Sequence, residues 1–227
     1  MAMEVEARAP GKLILAGEHA VCHGYAAVAA VVGLYTRCHI RQSLSPARAD
    51  FSSDGVCLQL SDLQLTLEWS LQEMDSLVNL VHSDVSVANP NSPEVIARLT
   101  GLFDENSLPE AKIEIASGVR AFLFLYSSIL GVISSTITVS TKLPMGGGLG
   151  SSASFCVSLV AALLAMAKTS ASHTHETHAH ASDNGVDPLK IDETGLDLVN
   201  NWAYKGEIII HGIPSGIDDA ISTFGKF

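Results

Sequence analysis

The stretch Pro144-Met145-Gly146-Gly147-Gly148-Leu149-Gly150-Ser151-Ser152-Ala153 constrains this chain more than any other. Before it, Thr136 to Thr141 alternates β-branched with small polar residues, as a strand does. After it, Phe155 to Ala167 is too long and too rich in alanine for a strand and reads as a helix. The loop therefore ends a strand and opens a helix. Backbone N–H groups at a helix N-terminus have no intrahelical partner and lie at the positive end of the macrodipole, and glycines let the main chain approach a ligand closely. Four glycines within five residues followed by two serines exceed what a turn or a simple cap requires, so the loop is expected to hold phosphate. No Lys-Ser or Lys-Thr pair follows, which excludes a Walker A sequence. Gly148 to Ala153 formally satisfies the dinucleotide fingerprint, yet the region about 20 residues on is polar and histidine-rich where that fingerprint wants an acidic residue closing a second strand.

An anion site in a chain of net charge −11 must gather positive potential locally, from loop N–H groups, a placed lysine or a divalent metal. The 13 basic residues are scattered, which argues against a nucleic-acid partner. With 227 residues, 47% of them hydrophobic and 16% charged, the chain can bury a substantial core. Cys22, Cys38, Cys57 and Cys156 show no paired spacing and read as reduced packing residues of a cytoplasmic protein. The N-terminus lacks the pattern of a secretory signal. The apolar stretches at Ala121 to Ser134 and Phe155 to Ala167 fall short of the ~20 residues of a membrane span, so no membrane partner is expected.

Along the chain, Glu4 to Arg8 alternates, a turn is expected near Pro10-Gly11, and a short apolar strand follows before Gly17. Leu34 to Gln42 and Cys57 to Trp69 read as strands, the latter a pair whose inward face shifts near Ser61-Asp62. Leu71 to His82 has helical spacing, and Ser92-Pro93-Glu94 is an N-cap with proline at the first helical position. Arg120 to Ser134 reads as a central helix, and Thr194 to Ile210 as another. Residues 171 to 187 read as a polar, histidine-rich surface loop whose four histidines from His173 to His180 do not share one helical face.

Three further polar groups lie in suggestive contexts: Lys12 between Gly11 and an apolar strand, Glu207 on the helix after Trp202, and Asp218 directly after Pro214-Ser215-Gly216. Each has an ordinary reading as a solvated or capping residue, with Ser215-x-x-Asp218 resembling a capping box. Together with the loop they match what a magnesium nucleotide kinase needs: phosphate donors, a hydroxyl and a carboxylate for the ion, and a base with a cation beside it.

The sequence resembles the galactokinase, homoserine kinase, mevalonate kinase and phosphomevalonate kinase (GHMP) superfamily, and within it the mevalonate branch. The resemblance rests on Ala9 to Gly24, on Pro144 through Ala153, and on Trp202 to Glu207 with Pro214 to Asp218. It implies an α+β two-layer sandwich of mostly antiparallel sheet and helices, forming the N-terminal, ATP-binding domain over residues 1–227. It also implies ATP- and Mg²⁺-dependent phosphorylation of the primary hydroxyl of mevalonate, a small-molecule partner, in isoprenoid and sterol synthesis. Carried over by motif position, Asp218 receives the hydroxyl proton and Lys12 supplies the positive charge beside it. Pro144, Gly146, Gly147, Gly148, Leu149, Gly150, Ser151, Ser152 and Ala153 wrap the triphosphate. Ser152 and Glu207 hold Mg²⁺, and Glu18 and His19 lie near the substrate with Lys12 and Asp218. A homodimer is consistent with this family.

The chain departs from the family pattern at Ile213, in place of a usual Asn, at Met145, in place of a proline, at Asp219, in place of a common Asn, and in its histidine-rich stretch. The second, C-terminal domain of family members is expected to be missing, which sets a non-catalytic fragment or isoform that keeps nucleotide affinity beside the leading reading of a mevalonate-type kinase represented by its N-terminal domain; another small-molecule kinase of the same superfamily is a further reading, and Gly148 to Ala153 keeps a nicotinamide dehydrogenase open if the sheet around the loop is parallel.

Overall fold

Alternation of inward apolar and outward charged residues builds the long first pair of strands. Met3 and Ala9 are buried, while Glu4, Glu6 and Arg8 alternate with the inward set and point outward. In this computed structural model, which describes residues 2–17, 25–43, 55–82, 89–103, 115–173 and 191–225, β1 (Ala2–Ala16) runs antiparallel to β2 (Val28–Ser43). The turn expected at Pro10-Gly11 is absent. The strand continues through it with a register shift between Pro10 and Gly11, an irregularity that an edge strand absorbs because proline there withholds no needed ladder bond.

The sheet order is β1-β2-β5-β3-β4, with β3 at Gly55–Leu60, β4 at Leu65–Ser70 and β5 at Ser135–Thr141. β3 and β4 form an antiparallel pair joined through a single 3-10 turn at Ser61–Leu63, which is the shift of face expected near Ser61-Asp62. β5 lies between β2, to which it is antiparallel, and β3, to which it is parallel. The sheet is thus mostly antiparallel, as expected of an α+β sandwich. An open parallel sheet, which the dinucleotide-binding reading requires, is not what surrounds the loop.

Six helices complete the described residues: α1 (Leu71–His82), α2 (Pro93–Leu102), α3 (Ala116–Ile129), α4 (Ser151–His173), α5 (Glu193–His211) and α6 (Ile217–Phe224). The Ser92 hydroxyl accepts from Val95 N at 3.2 Å and caps α2 as its sequence signature foretells. α3 begins four residues before the expected Arg120 and stops at Ile129, where Gly131 takes a positive φ of 78°. It is the central helix: Ala121 to Ser127 are all buried, and Phe122 packs between the tilted rings of Trp69 and Tyr126, with ring centroids 5.9 and 5.6 Å away.

α4 is longer than the apolar run that marks it. Ser151–Ser170 is long and apolar enough to cross a membrane by length and composition, contrary to the sequence reading, because the small serines and alanines at both ends extend the run. Here α4 instead packs on β1, β2, α3 and α5, with Cys156, Leu159, Val160, Leu163 and Met166 in the core. Residues 171–173, read as the start of a surface loop, finish this helix; the rest of that histidine-rich stretch lies outside the described residues. Cys38, Cys57 and Cys156 are free thiols, and Cys22 lies outside the described residues.

Phe122→Ala would empty the middle of this aromatic row and is expected to cost about 3–5 kcal/mol of folding stability. A urea titration followed by Trp fluorescence should show the midpoint fall accordingly; an unchanged midpoint would remove α3 from the centre of the core.

Candidate active site

Beyond the bulge, β1 passes directly under the glycine-rich loop. Lys12 N donates to Leu149 O at 2.9 Å, and Ser154 Oγ donates to Ala9 O at 2.8 Å, so the strand is fastened both to the loop and to the first turn of α4. Close approach decides two of the glycines. A Cβ on Gly11 would meet Leu143 Cδ2 at 2.4 Å and the Leu149 carbonyl at 2.8 Å. One on Gly150, whose φ is +68°, would meet Lys12 Cγ at 2.9 Å.

Pressed under the loop, the Lys12 side chain is only 7% exposed, and its Nζ lies 3.0 Å from Asp218 Oδ1. Asp218 stands in the first turn of α6, where a carboxylate is favoured by the helix dipole. The capping-box reading of Ser215 and Asp218 is overturned. The N-cap of α6 is Gly216 at a φ of 77°, with no side-chain cap; Ser215 Oγ accepts only a long 3.5 Å bond from Ile217 N, and Asp218 turns to Lys12.

Glu207 approaches the same place from α5 and is 3% exposed. Its Oε2 lies 3.7 Å from His211 Nε2, which is 3.1 Å from Ser152 Oγ, and its Oε1 accepts from the Cys156 thiol at 3.9 Å. Burial pushes the Glu207 carboxyl up to about 7. The nearby Asp218 charge adds to that rise, while a hydrogen bond from Ser152 and the charge of Lys12 oppose it. Asp219, 1% exposed, is pushed up to about 8 by burial and then by the charges of Glu207 and Asp218. Neither of its oxygens has a hydrogen-bond partner among the described residues.

A cavity of about 730 Å³ opens in front of these groups. Lys12, Gly146, Gly148, Gly150, Ser151, Ser152 and Asp218 line its polar end, and Leu58, Leu60, Val139 and Phe155 give it an apolar wall. Such a shape suits a ligand with a flat apolar end and an anionic tail. Of the sequence-predicted residues, Ala153 turns into the core and Leu149 spends its carbonyl on Lys12. Glu207 meets the cavity through Ser152 and His211, both on its wall. Glu18 and His19 lie outside the described residues.

A magnesium ion fits the donor set. One hydroxyl and one buried carboxylate converge on the His211 imidazole, and both are hard oxygen donors. Among the described residues no group of three or more His, Cys, Asp or Glu could form an all-protein cage. Magnesium is commonly held by one or two protein oxygens together with substrate phosphates, so the sparse set suits it.

His211 and Asp219 are absent from the sequence-derived site. His211 could have been found from its spacing, four residues after Glu207 on one helix. Nothing local marks Asp219 as buried beside two other carboxyls.

Residues 110–187 match the family model described as the GHMP kinases N terminal domain. The mevalonate kinase of Arabidopsis thaliana is 44% identical over 226 residues, an alignment spanning 99% of this chain and 56% of that protein. The mevalonate kinase of Homo sapiens is 37% identical over 223 residues, spanning 96% and 51%. Among solved structures, the mevalonate kinase of Methanococcus jannaschii superposes with a TM-score of 0.56 at 24% identity, covering 99% of this chain and 52% of that one. Another mevalonate kinase crystal structure gives 0.57 at 23%, covering 97% and 51%. The chain spans about half the length of the relatives it matches.

Asp219→Asn replaces a buried acid that has no hydrogen-bond partner among the described residues, and the pH dependence follows from the direction of the shift. A carboxyl whose folded pKa is raised holds its proton where the unfolded chain has lost it, so stability falls as pH rises from about 4 through about 8. The variant is expected to gain on the order of 1–3 kcal/mol at pH 8.5 and little at pH 4.5. Thermal unfolding at the two pH values checks it; equal gains at both would show that Asp219 is not a buried acid.

Proposed function

We propose that this chain, whose residues 110–187 match the N-terminal domain of GHMP kinases, is the nucleotide-binding half of a kinase of that family that phosphorylates the primary hydroxyl of mevalonate with ATP. The observation that carries the reading is the 3.0 Å Lys12–Asp218 pair at the polar end of a cavity walled by the glycine-rich loop. The acceptor alcohol comes from the relatives, which are named mevalonate kinases.

In this reading the loop N–H groups from Gly146 to Ser151 hold the triphosphate, and the apolar wall of Leu58, Leu60 and Val139 takes the base. Ser152 and Glu207 would hold Mg²⁺, which supplies charge neutralisation at the β- and γ-phosphates when bound. Asp218 accepts the proton of the attacking hydroxyl. A carboxylate with an ordinary pKa of about 4 is a weak base, so most of the acceleration must come from alignment and from positive charge near the transferring group. Lys12 serves both ends. Its ammonium orients Asp218, and its buried stem keeps that charge at the mouth of the loop. A cytoplasmic setting and a place in isoprenoid and sterol synthesis belong to the same proposal; the free thiols fit the former.

ADP release with mevalonate as acceptor should be measured on this chain alone and on the chain joined to the second half of the Arabidopsis thaliana relative. Asp218→Ala is expected to lower kcat by 10²-fold to 10⁴-fold, on the order of a lost general base, with nucleotide affinity nearly unchanged. Full turnover in the variant would sink the assigned base. Tight nucleotide binding without turnover in either format would favour a non-catalytic role.

A further inference from the structure

The reaction proposed above leaves one contact in the cavity wall without a task. His211 ends α5 and is half-exposed, at 52%, with its Nε2 3.1 Å from Ser152 Oγ and 3.7 Å from Glu207 Oε2. Closure of the helix does not call for an imidazole there, since Gly212 at a φ of 78° returns its N–H to Ile208 O at 2.7 Å. The three groups come from two helices, α4 and α5, and 59 residues separate Ser152 from His211.

A serine hydroxyl has three staggered χ1 wells of similar energy, and only some of them aim its oxygen at a phosphate-bound cation. Ser152 sits in the first turn of α4 at the edge of an open cavity, where packing alone leaves that choice loose. A donor on one side and an acceptor on the other remove the freedom. With the proton on Nε2, His211 donates to Ser152 Oγ, and the Ser152 hydroxyl donates to the Glu207 carboxylate, a direction that agrees with the lowering influence of Ser152 on Glu207.

From this chain of contacts we infer that His211 is a positioning residue: it holds the Ser152 hydroxyl and the Glu207 carboxylate in one orientation, so that a divalent cation carrying nucleotide phosphates meets two oxygens already aligned. The inference rests on the phosphate-site reading of the loop and adds a role to that site. Partners that orient metal ligands are commonly worth 10-fold to 100-fold in metal affinity, roughly the scale expected here.

The test compares wild type, His211→Ala and His211→Gln of this chain by calorimetry with ADP, once with Mg²⁺ and once with a chelator. The quantity read is the factor by which Mg²⁺ tightens nucleotide binding. His211→Ala should cut that factor about tenfold and leave metal-free affinity unchanged. His211→Gln, whose amide nitrogen reaches as far as Nε2, should restore most of it. An equal Mg²⁺ factor in wild type and His211→Ala, or a loss that glutamine does not restore, overturns the role of His211 while leaving the nucleotide site standing. Failure of wild type to bind ADP in either condition overturns the site reading and the inference together. A second readout needs neither ligand nor a change at His211: in the free protein, Ser152→Ala should move the ¹⁵N resonance of His211 Nε2, and an unmoved resonance also overturns the inference.

Discussion

The site depends on how closely an edge strand can pass beneath a loop. Lys12 N–H reaches the Leu149 carbonyl at 2.9 Å only because neither Gly11 nor Gly150 carries a Cβ in the gap. With that approach made, the Lys12 stem is buried along the loop and its ammonium meets Asp218 on α6 at 3.0 Å. Ser154, bonded to the Ala9 carbonyl one turn into α4, ties the helix to the same strand and fixes the serines at its N-terminus relative to the lysine. Three distant stretches of sequence are thereby brought to one place by one main-chain bond, one side-chain bond to the main chain and one ion pair.

Electrostatic tension is concentrated where those contacts meet. Glu207, Asp218 and Asp219 lie near one another in a protein of net charge −11, and among the described residues the cation bonded to this cluster is Lys12, on Asp218. Two of the three carboxyls are buried and pushed up by that burial, and Asp219 has no hydrogen-bond partner among the described residues. Such an arrangement is costly in the folded state, and perturbed carboxyls of this kind cluster at functional sites. The apolar core beneath, centred on Phe122 and the buried faces of α3 and α4, is what can bear the cost.

Much of this was legible in residue order, and the misses share a cause. The strand-loop-helix passage around Gly146 to Ser152 is local chemistry, and strand, turn and helix lie where alternation and glycine placement put them. The antiparallel pairs also follow from two-residue periodicity. Pro10-Gly11 misleads because the same dipeptide serves a turn or a bulge, and only the neighbouring strand β2 decides between them. The bounds of α3 and α4 shift because small residues such as Ala116 and Ser151 carry weak hydrophobic signals and become helical when packed. Ser215 and Asp218 look like a capping box until Lys12, some 200 residues earlier, is seen to claim the carboxylate.

Sequence alone determined the local form of the glycine-rich loop, the mostly antiparallel character of the sheet, and the candidate polar groups Lys12, Ser152, Glu207 and Asp218, because each of these is read from neighbours within a few positions. Tertiary structure alone decided which charges meet. The 3.0 Å ion pair, the contact from His211 to Ser152 and Glu207, and the burial of Asp219 all depend on how α5 and α6 settle against β1 and α4. Distances and desolvation across so many residues are properties of packing, and no pattern along the chain encodes them one residue at a time.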